Sequence, residues 1–362
     1  MTAWPPKDSI RVKLVFALVS VLFTLVISDA FLQAAYRISK GFYTWETVER
    51  FRVRDFTIRT SDTRYVTGKP NARIPNYSEG DATWSVSFDE HGFRAGLHRL
   101  STNRPNIVVL GDSVPFGWGV SDDESFPSAL HQYFSKRANK PYPIINAAMP
   151  SYSLDQAISR YELEIHGTFP VKAIIIQVID PISQFTLLGR DWTTEKNWTT
   201  YSRWGNKTKA VAQTMGAFRY SSLNYFFNRL SAKEENESLE PGDTLAFEHF
   251  RTEVMQTLSR LHRLFPNQDV PIILVSSNTP TASLHTHSPA RKRATRFFHE
   301  TLKEFTLKDP KKNFFALNIE DAFPLANEED YFIDDCCHLS TLGAQEQASI
   351  VGDILLENYF SQ

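Results

Sequence analysis

Cysteine is almost absent from this 362-residue sequence: there are two, Cys336 and Cys337, and they are adjacent. No disulfide framework joining distant segments can be built from them, and no second pair exists to complete a tetrahedral metal site. As side chains they read as small buried hydrophobes. Glycine is also scarce, 15 residues, which excludes fibrous and Gly-rich repeats, and no internal repeat is found. An excess of charge of one sign is missing too, with 39 Lys+Arg against 41 Asp+Glu and a formal net charge of −2. A nucleic-acid partner held by bulk electrostatics needs a clearly basic chain, so that class is set aside. Material for a core is plentiful. Hydrophobic residues make up 42% and aromatics 13%, too much for a mostly disordered chain.

One long apolar run stands at the N-terminus. Leu14 to Ile27 carries no charge, and with Asp29 and Gln33 tolerated the stretch reaches Ala35. As a helix, 22 residues span about 33 Å, enough for a hydrocarbon core of about 30 Å. Lys7, Arg11 and Lys13 precede it. Two readings stand: a retained signal-anchor, or a cleaved signal peptide with Ser28 and Ala30 at the −3 and −1 positions. Basic residues also follow it (Arg37, Lys40, Arg50, Arg52, Arg54), so the charge rule alone does not orient the span. A short tail with three cations ordinarily stays cytoplasmic, which makes a single-pass protein with its main domain on the extracytoplasmic side the expectation.

Residues 37–84 read as a connector with one or two strands. From 85 onward the pattern is regular. Apolar runs at Asn106–Leu110, Pro143–Asn146, Ala173–Val178 (rich in β-branched residues), Ile272–Ser276 and Phe314–Asn318 read as five strands. Segments of helical spacing separate and follow them: Glu124–Lys136, Ser153–Glu164, Phe247–Phe265, Pro289–Thr306 and Thr341–Phe360. Strands alternating with helices predict a parallel sheet covered on both faces. The stretch 186–246, with Trp192, Trp198 and Trp204, is an insertion, either a lid near the site or a decoration of the rim.

The strand Asn106–Leu110 runs into Gly111-Asp112-Ser113-Val114-Pro115-Phe116-Gly117-Trp118-Gly119. This is not a phosphate-binding loop, for it lacks Gly-Lys-Ser/Thr, and Pro115 breaks the GxSxG elbow. Before the last helix stands Asp335-Cys336-Cys337-His338-Leu339-Ser340. A carboxylate accepting the imidazole Nδ1–H fixes the tautomer and leaves Nε2 to take a proton from a serine. All parallel strands deliver their carboxyl ends to one edge, so Ser113 and His338 are expected to converge although 225 residues separate them.

These blocks resemble those of the GDSL or SGNH hydrolase family. The resemblance covers about residues 85–362 and rests on Gly111-Asp112-Ser113 with Gly117 and Gly119, and on Asp335, His338 and the following Leu-Ser-x-x-Gly. Asp89-Glu90-His91-Gly92-Phe93-Arg94 is similar to the lead-in of membrane-anchored bacterial members. The resemblance implies a flavodoxin-like three-layer α/β/α fold with a five-stranded parallel sheet. It also implies Ser113 as nucleophile, His338 as general base and Asp335 as its orienting partner, with no metal or organic cofactor. The substrate implied is an O-acyl ester of a small molecule, carbohydrate or lipid, cleaved by an esterase or passed on by an O-acyltransferase.

The middle blocks depart from the family pattern. Ser151 stands where the second block has glycine, and Asp180 (or, in an alignment shifted by one residue, Ile179) where the third has the asparagine that donates to the oxyanion. An ionised carboxylate only accepts, and the loss of one such donor costs about 2.7–4 kcal/mol of transition-state stabilisation. Either Asp180 is held protonated, or Asn146, Gln177 or a residue of the insertion donates instead. A non-catalytic or weakly active binding or assembly protein of the cell envelope is the alternative. Other features weigh less. His285-x-His287 reads as a loop, Arg291-Lys292-Arg293 with Arg296 as a solvated face, and Asn76, Asn197, Asn206 and Asn236 as chance glycosylation sequons. Trp118 either lines an acyl pocket or packs beneath the insertion.

Overall fold

The computed structural model describes residues 10–40, 56–64, 66–79, 82–97, 99–137, 142–150, 152–178, 244–265, 270–276, 289–309, 313–319, 323, 328–334 and 337–360. The chain divides into two compact units, residues 1–51 with 194–235, and 52–193 with 236–362. Each is described by itself.

In the first unit, helix α1 runs over Ile10–Lys40. Its segment Lys13–Leu32, 20 residues, is long and apolar enough to cross a membrane. Leu14, Phe16, Val19, Phe23 and Phe31 are all exposed. The hydroxyls of Ser20 and Thr24 donate to the Phe16 and Ser20 carbonyls at 2.8 and 2.9 Å. This back-bonding satisfies a polar side chain within the helix itself, as a hydrocarbon surrounding would require.

The second unit is built on a five-stranded sheet of β5 (Asn106–Gly111), β6 (Ile144–Asn146), β7 (Val171–Gln177), β8 (Ile272–Ser276) and β9 (Phe314–Asn318). The order is β6-β5-β7-β8-β9, with every neighbouring pair parallel. Both faces are buried because the strands are apolar at successive positions. Ile107, Val109, Ala173, Ile175, Ile273 and Val275 face one core, while Val108, Leu110, Ile174, Ile176, Ile272 and Leu274 face the other. Helices α3 (Phe126–Arg137) and α7 (Thr341–Leu355) cover the first face; α4 (Leu154–Arg160), α5 (Thr244–Arg263) and α6 (Pro289–Lys308) cover the second. A short turn, α2 (Ser113–Phe116), follows β5. The expected three-layer α/β/α arrangement is thus present. The chain leaves β5 for one neighbour, β6, and then returns past it to β7, so the topological switch point lies at the carboxyl end of β5.

The stretch read as a connector is more structured than expected. It forms two antiparallel pairs, β1 (Thr57–Arg59) with β2 (Val66–Gly68), and β3 (Arg73–Glu79) with β4 (Ala82–Ser87). Phe56, Tyr77, Trp84, Val86, Phe88 and Phe93 belong to the same buried cluster as Val108 and Leu110. The insertion proposed over 186–246 lies outside the described residues up to Thr244, where α5 begins.

Candidate active site

Strand β5 ends at Gly111, whose φ of 143° lies in the region glycine favours. A Cβ there would stand 1.7 Å from the Gln177 carbonyl oxygen, so only glycine lets β5 and β7 stay paired up to this point. The next residue, Asp112, is fully buried. Its Oδ1 accepts from the Val114 N–H at 3.0 Å and caps the α2 turn. That fixes Ser113 at the first position of the turn, where a backbone N–H has no helical acceptor. No acceptor for it exists among the described residues.

His338 arrives from the opposite end of the chain, on a tight loop closed by two backbone bonds. The Ile333 N–H donates to the His338 carbonyl and the Ser340 N–H to the Tyr331 carbonyl, both at 2.9 Å. The Ser113 hydroxyl lies 2.9 Å from His338 Nε2, so the convergence expected from the sheet edge is present in the geometry. On the other side of the ring, Nδ1–H donates to the carboxylate of Asp334. With Nδ1 donating, Nε2 is the acceptor for the serine proton.

The acid beside the imidazole therefore differs from the sequence expectation. Asp334 occupies the place foreseen for Asp335, which lies outside the described residues. The reason is local. Spacing of three suits a helical turn, but Phe332 and Leu339 pair antiparallel on either side of this segment. In it, Asp334 Oδ1 accepts the N–H groups of Cys337 and His338 at 3.0 and 3.2 Å. Oδ2 is left for the ring. Burial pushes the Asp334 carboxyl upward, but the hydrogen bond and charge of His338 and the two backbone N–H groups outweigh it and hold the pKa at about 2. Cys337 is fully buried, as expected of a small hydrophobe, but it is also disulfide-bonded.

Trp118 closes the serine side, its ring centroid 6.4 Å from that of His338. It packs on Tyr77 and Trp84, at 5.3 and 5.7 Å between centroids. Its support thus comes from the β3–β4 pair.

Two alternatives considered for the missing oxyanion donor are engaged elsewhere. The Asn146 amide donates to the Pro115 and Phe116 carbonyls at 3.4 and 3.3 Å, and its Oδ1 accepts from the Ala148 N–H at 3.2 Å. It ties the loop after β5 to the loop after β6 rather than facing a substrate. Gln177 exchanges hydrogen bonds with Gln347 of α7 at 2.7 and 3.2 Å, and both side chains are fully buried. Ser151, Asp180, His285 and His287 lie outside the described residues. Arg291, Lys292 and Arg293 fall in the first turns of α6, and Arg296 on that helix is exposed. Among the described residues no cluster of His, Cys, Asp and Glu fits a metal ion.

Arg94 is the residue that sequence reading placed in a motif without a role. It is buried, and its guanidinium donates to the carbonyls of Phe116, Gly117 and Val120 behind Ser113. An arginine within the lead-in segment Asp89–Arg94 is the signal the sequence offers for this; in the structure Asp122 pairs with it at 3.2 Å.

No protein-family model matches the sequence, and no curated protein is similar to it. Solved structures of similar fold do exist. A lipase/acylhydrolase from Enterococcus faecalis is 13% identical over 70% of this chain and 95% of its own, with a TM-score of 0.41. A lipolytic protein of the G-D-S-L family from Veillonella parvula is 13% identical over 72% of this chain and 100% of its own, with a TM-score of 0.42. The lipase Lip_vut3 from a goat rumen metagenome is 14% identical over 69% and 97%, with a TM-score of 0.43.

Proposed function

We propose that this chain is a serine ester hydrolase or O-acyltransferase tethered to a membrane by α1. The observation that carries the reading is the Ser113 hydroxyl 2.9 Å from His338 Nε2, with Asp334 on Nδ1 of the same ring. Ser113 Oγ attacks the ester carbonyl as His338 takes its proton, and Asp334 stabilises the imidazolium. The Ser113 N–H, with the N–H of residue 151, holds the oxyanion of the tetrahedral intermediate. Collapse expels the alcohol, which receives the proton from His338, and leaves the acyl group on Ser113. Water then gives hydrolysis, while a second hydroxyl gives transfer. Both outcomes share this intermediate, so the triad is indifferent between them. With the first polar tail cytoplasmic, the hydrolase unit faces the extracytoplasmic side and meets esters of the envelope.

The test is labelling of the full chain by a fluorophosphonate. Stoichiometric modification of Ser113, lost in Ser113→Ala and His338→Ala, is the expected result. A folded wild-type protein that takes no label would overturn the enzymatic reading and favour a binding protein. Asp180→Asn adds a second readout: a rise in esterase rate means that this carboxylate sits in an impaired oxyanion position.

A further inference from the structure

Among the described residues two arginines are the largest fully buried side chains, Arg94 at 1% and Arg160 at 0% exposure. Neither touches the triad; Arg94 ends on backbone of the loop that carries Ser113, and Arg160 on backbone of the loop after β6 beside it. Arg94 uses all five N–H donors. Nε donates to Asp122 at 3.2 Å, one terminal nitrogen to the Phe116 and Gly117 carbonyls, and the other to those of Val120 and Ser85 at 2.7 and 3.3 Å. Three of these acceptors belong to the turn that leaves Ser113. Gly117 makes the approach possible: its φ is 89°, and a Cβ there would lie 2.7 Å from the guanidinium. Arg160 serves the neighbouring loop. It donates to the Ala147 and Ala148 carbonyls at 3.1 and 3.4 Å, to Gly92 at 2.6 Å, and through Nε to Glu164 at 2.8 Å. The segment Gly92-Phe93-Arg94 joins the two systems. The Arg94 N–H donates to the Asn146 carbonyl at 3.0 Å, and the Arg160 guanidinium lies over the Phe93 ring at 5.2 Å.

We propose that Arg94 and Arg160 are positioning residues: a buried brace that fixes the loop after Ser113 and the loop after β6 against each other. Ser113 is thereby held at the 2.9 Å from His338 Nε2 that proton transfer needs. This deepens the reading of Ser113 as nucleophile and rests on it. A planar fork can hold several divergent carbonyls in one geometry, which a lysine, a single point of charge, cannot. Loops at strand ends have no ladder partner for these carbonyls. The same contacts therefore satisfy the buried backbone and remove its freedom to shift. A displacement of about 1 Å in such a site costs on the order of 10²-fold in rate.

The experiment uses the full chain in detergent, with p-nitrophenyl acetate as ester and the fluorophosphonate as serine probe. Arg94→Lys and Arg160→Lys keep the charge but break the fork. The expected result is kcat lower by about 10²-fold, with KM and the shape of the pH profile unchanged and labelling of Ser113 slowed in step. Lysine variants that fold and retain wild-type kcat overturn the brace while leaving the nucleophile assignment intact. Lysine variants that both fail to fold overturn it as well, because the arginines then hold the fold and not the site. A wild-type chain without Ser113 labelling removes the reading on which the brace depends.

Discussion

Of the two neighbouring acids in the sequence, Asp334 is the one that accepts from the imidazole of His338. Asp334 receives the Nδ1–H and two backbone N–H groups, so its replacement removes the tautomer control of His338 and the closure of the loop together. Asp334→Asn is expected to lower kcat about 10³- to 10⁴-fold, whereas Asp335→Asn leaves it within a few-fold; kinetics of both variants on one ester separate the two. The same carboxylate carries a pH signature. Its folded pKa of about 2 lies below the ordinary 3.8. Its contribution to stability is therefore complete above about pH 4 and is lost as the pH falls towards 2, the unfolded chain taking up the proton first. Urea midpoints measured between pH 2 and 6 should fall more steeply on the acid side for the wild type than for Asp334→Asn. The serine and histidine were legible because strand ends in a parallel sheet share an edge. The choice between residues 334 and 335 was not, because it depends on the backbone path of a loop with no period.

At the level of elements, the five strands of the sheet announce themselves as continuous apolar runs; β8 and β9 have their expected limits, and the limits of the other three differ from expectation by one or two residues. The strands β1 to β4 do not, since they mix apolar with polar residues and pair antiparallel outside the main sheet. Their contribution is nonetheless specific: Tyr77 and Trp84 support Trp118 next to the histidine. A second link between elements is the amide pair Gln177–Gln347, which joins the end of β7 to α7, the helix entered directly after the His338 loop. Removing one partner deprives the other buried amide of two hydrogen bonds. Gln177→Leu or Gln347→Leu should each cost about 1–3 kcal/mol. The double variant should cost less than the sum, because its two apolar side chains leave neither amide behind. Denaturant unfolding of the three proteins measures the coupling.

The whole molecule combines a solvent-exposed apolar helix with a folded unit that has its own two-sided core. All three members of the proposed triad, residues 113, 334 and 338, lie in the second unit, and none lies in the unit that contains α1. The exposed apolar surface of the helix over Lys13–Leu32 is costly in water. Burial of some 20 apolar residues in hydrocarbon relieves that cost and is effectively irreversible, unlike the attachment of a single acyl chain. The full chain should therefore remain with membranes through carbonate extraction. A chain lacking residues 1–40 should appear in the soluble fraction and still take a fluorophosphonate at Ser113. N-terminal sequencing of the membrane-bound form separates the two fates of the span. Retention of Lys13–Leu32 marks an anchor, whereas a mature terminus after Ala30 marks a signal peptide, and carbonate would then release the protein. Loss of labelling on truncation, with the soluble unit still folded, would show instead that the first unit contributes to the site itself.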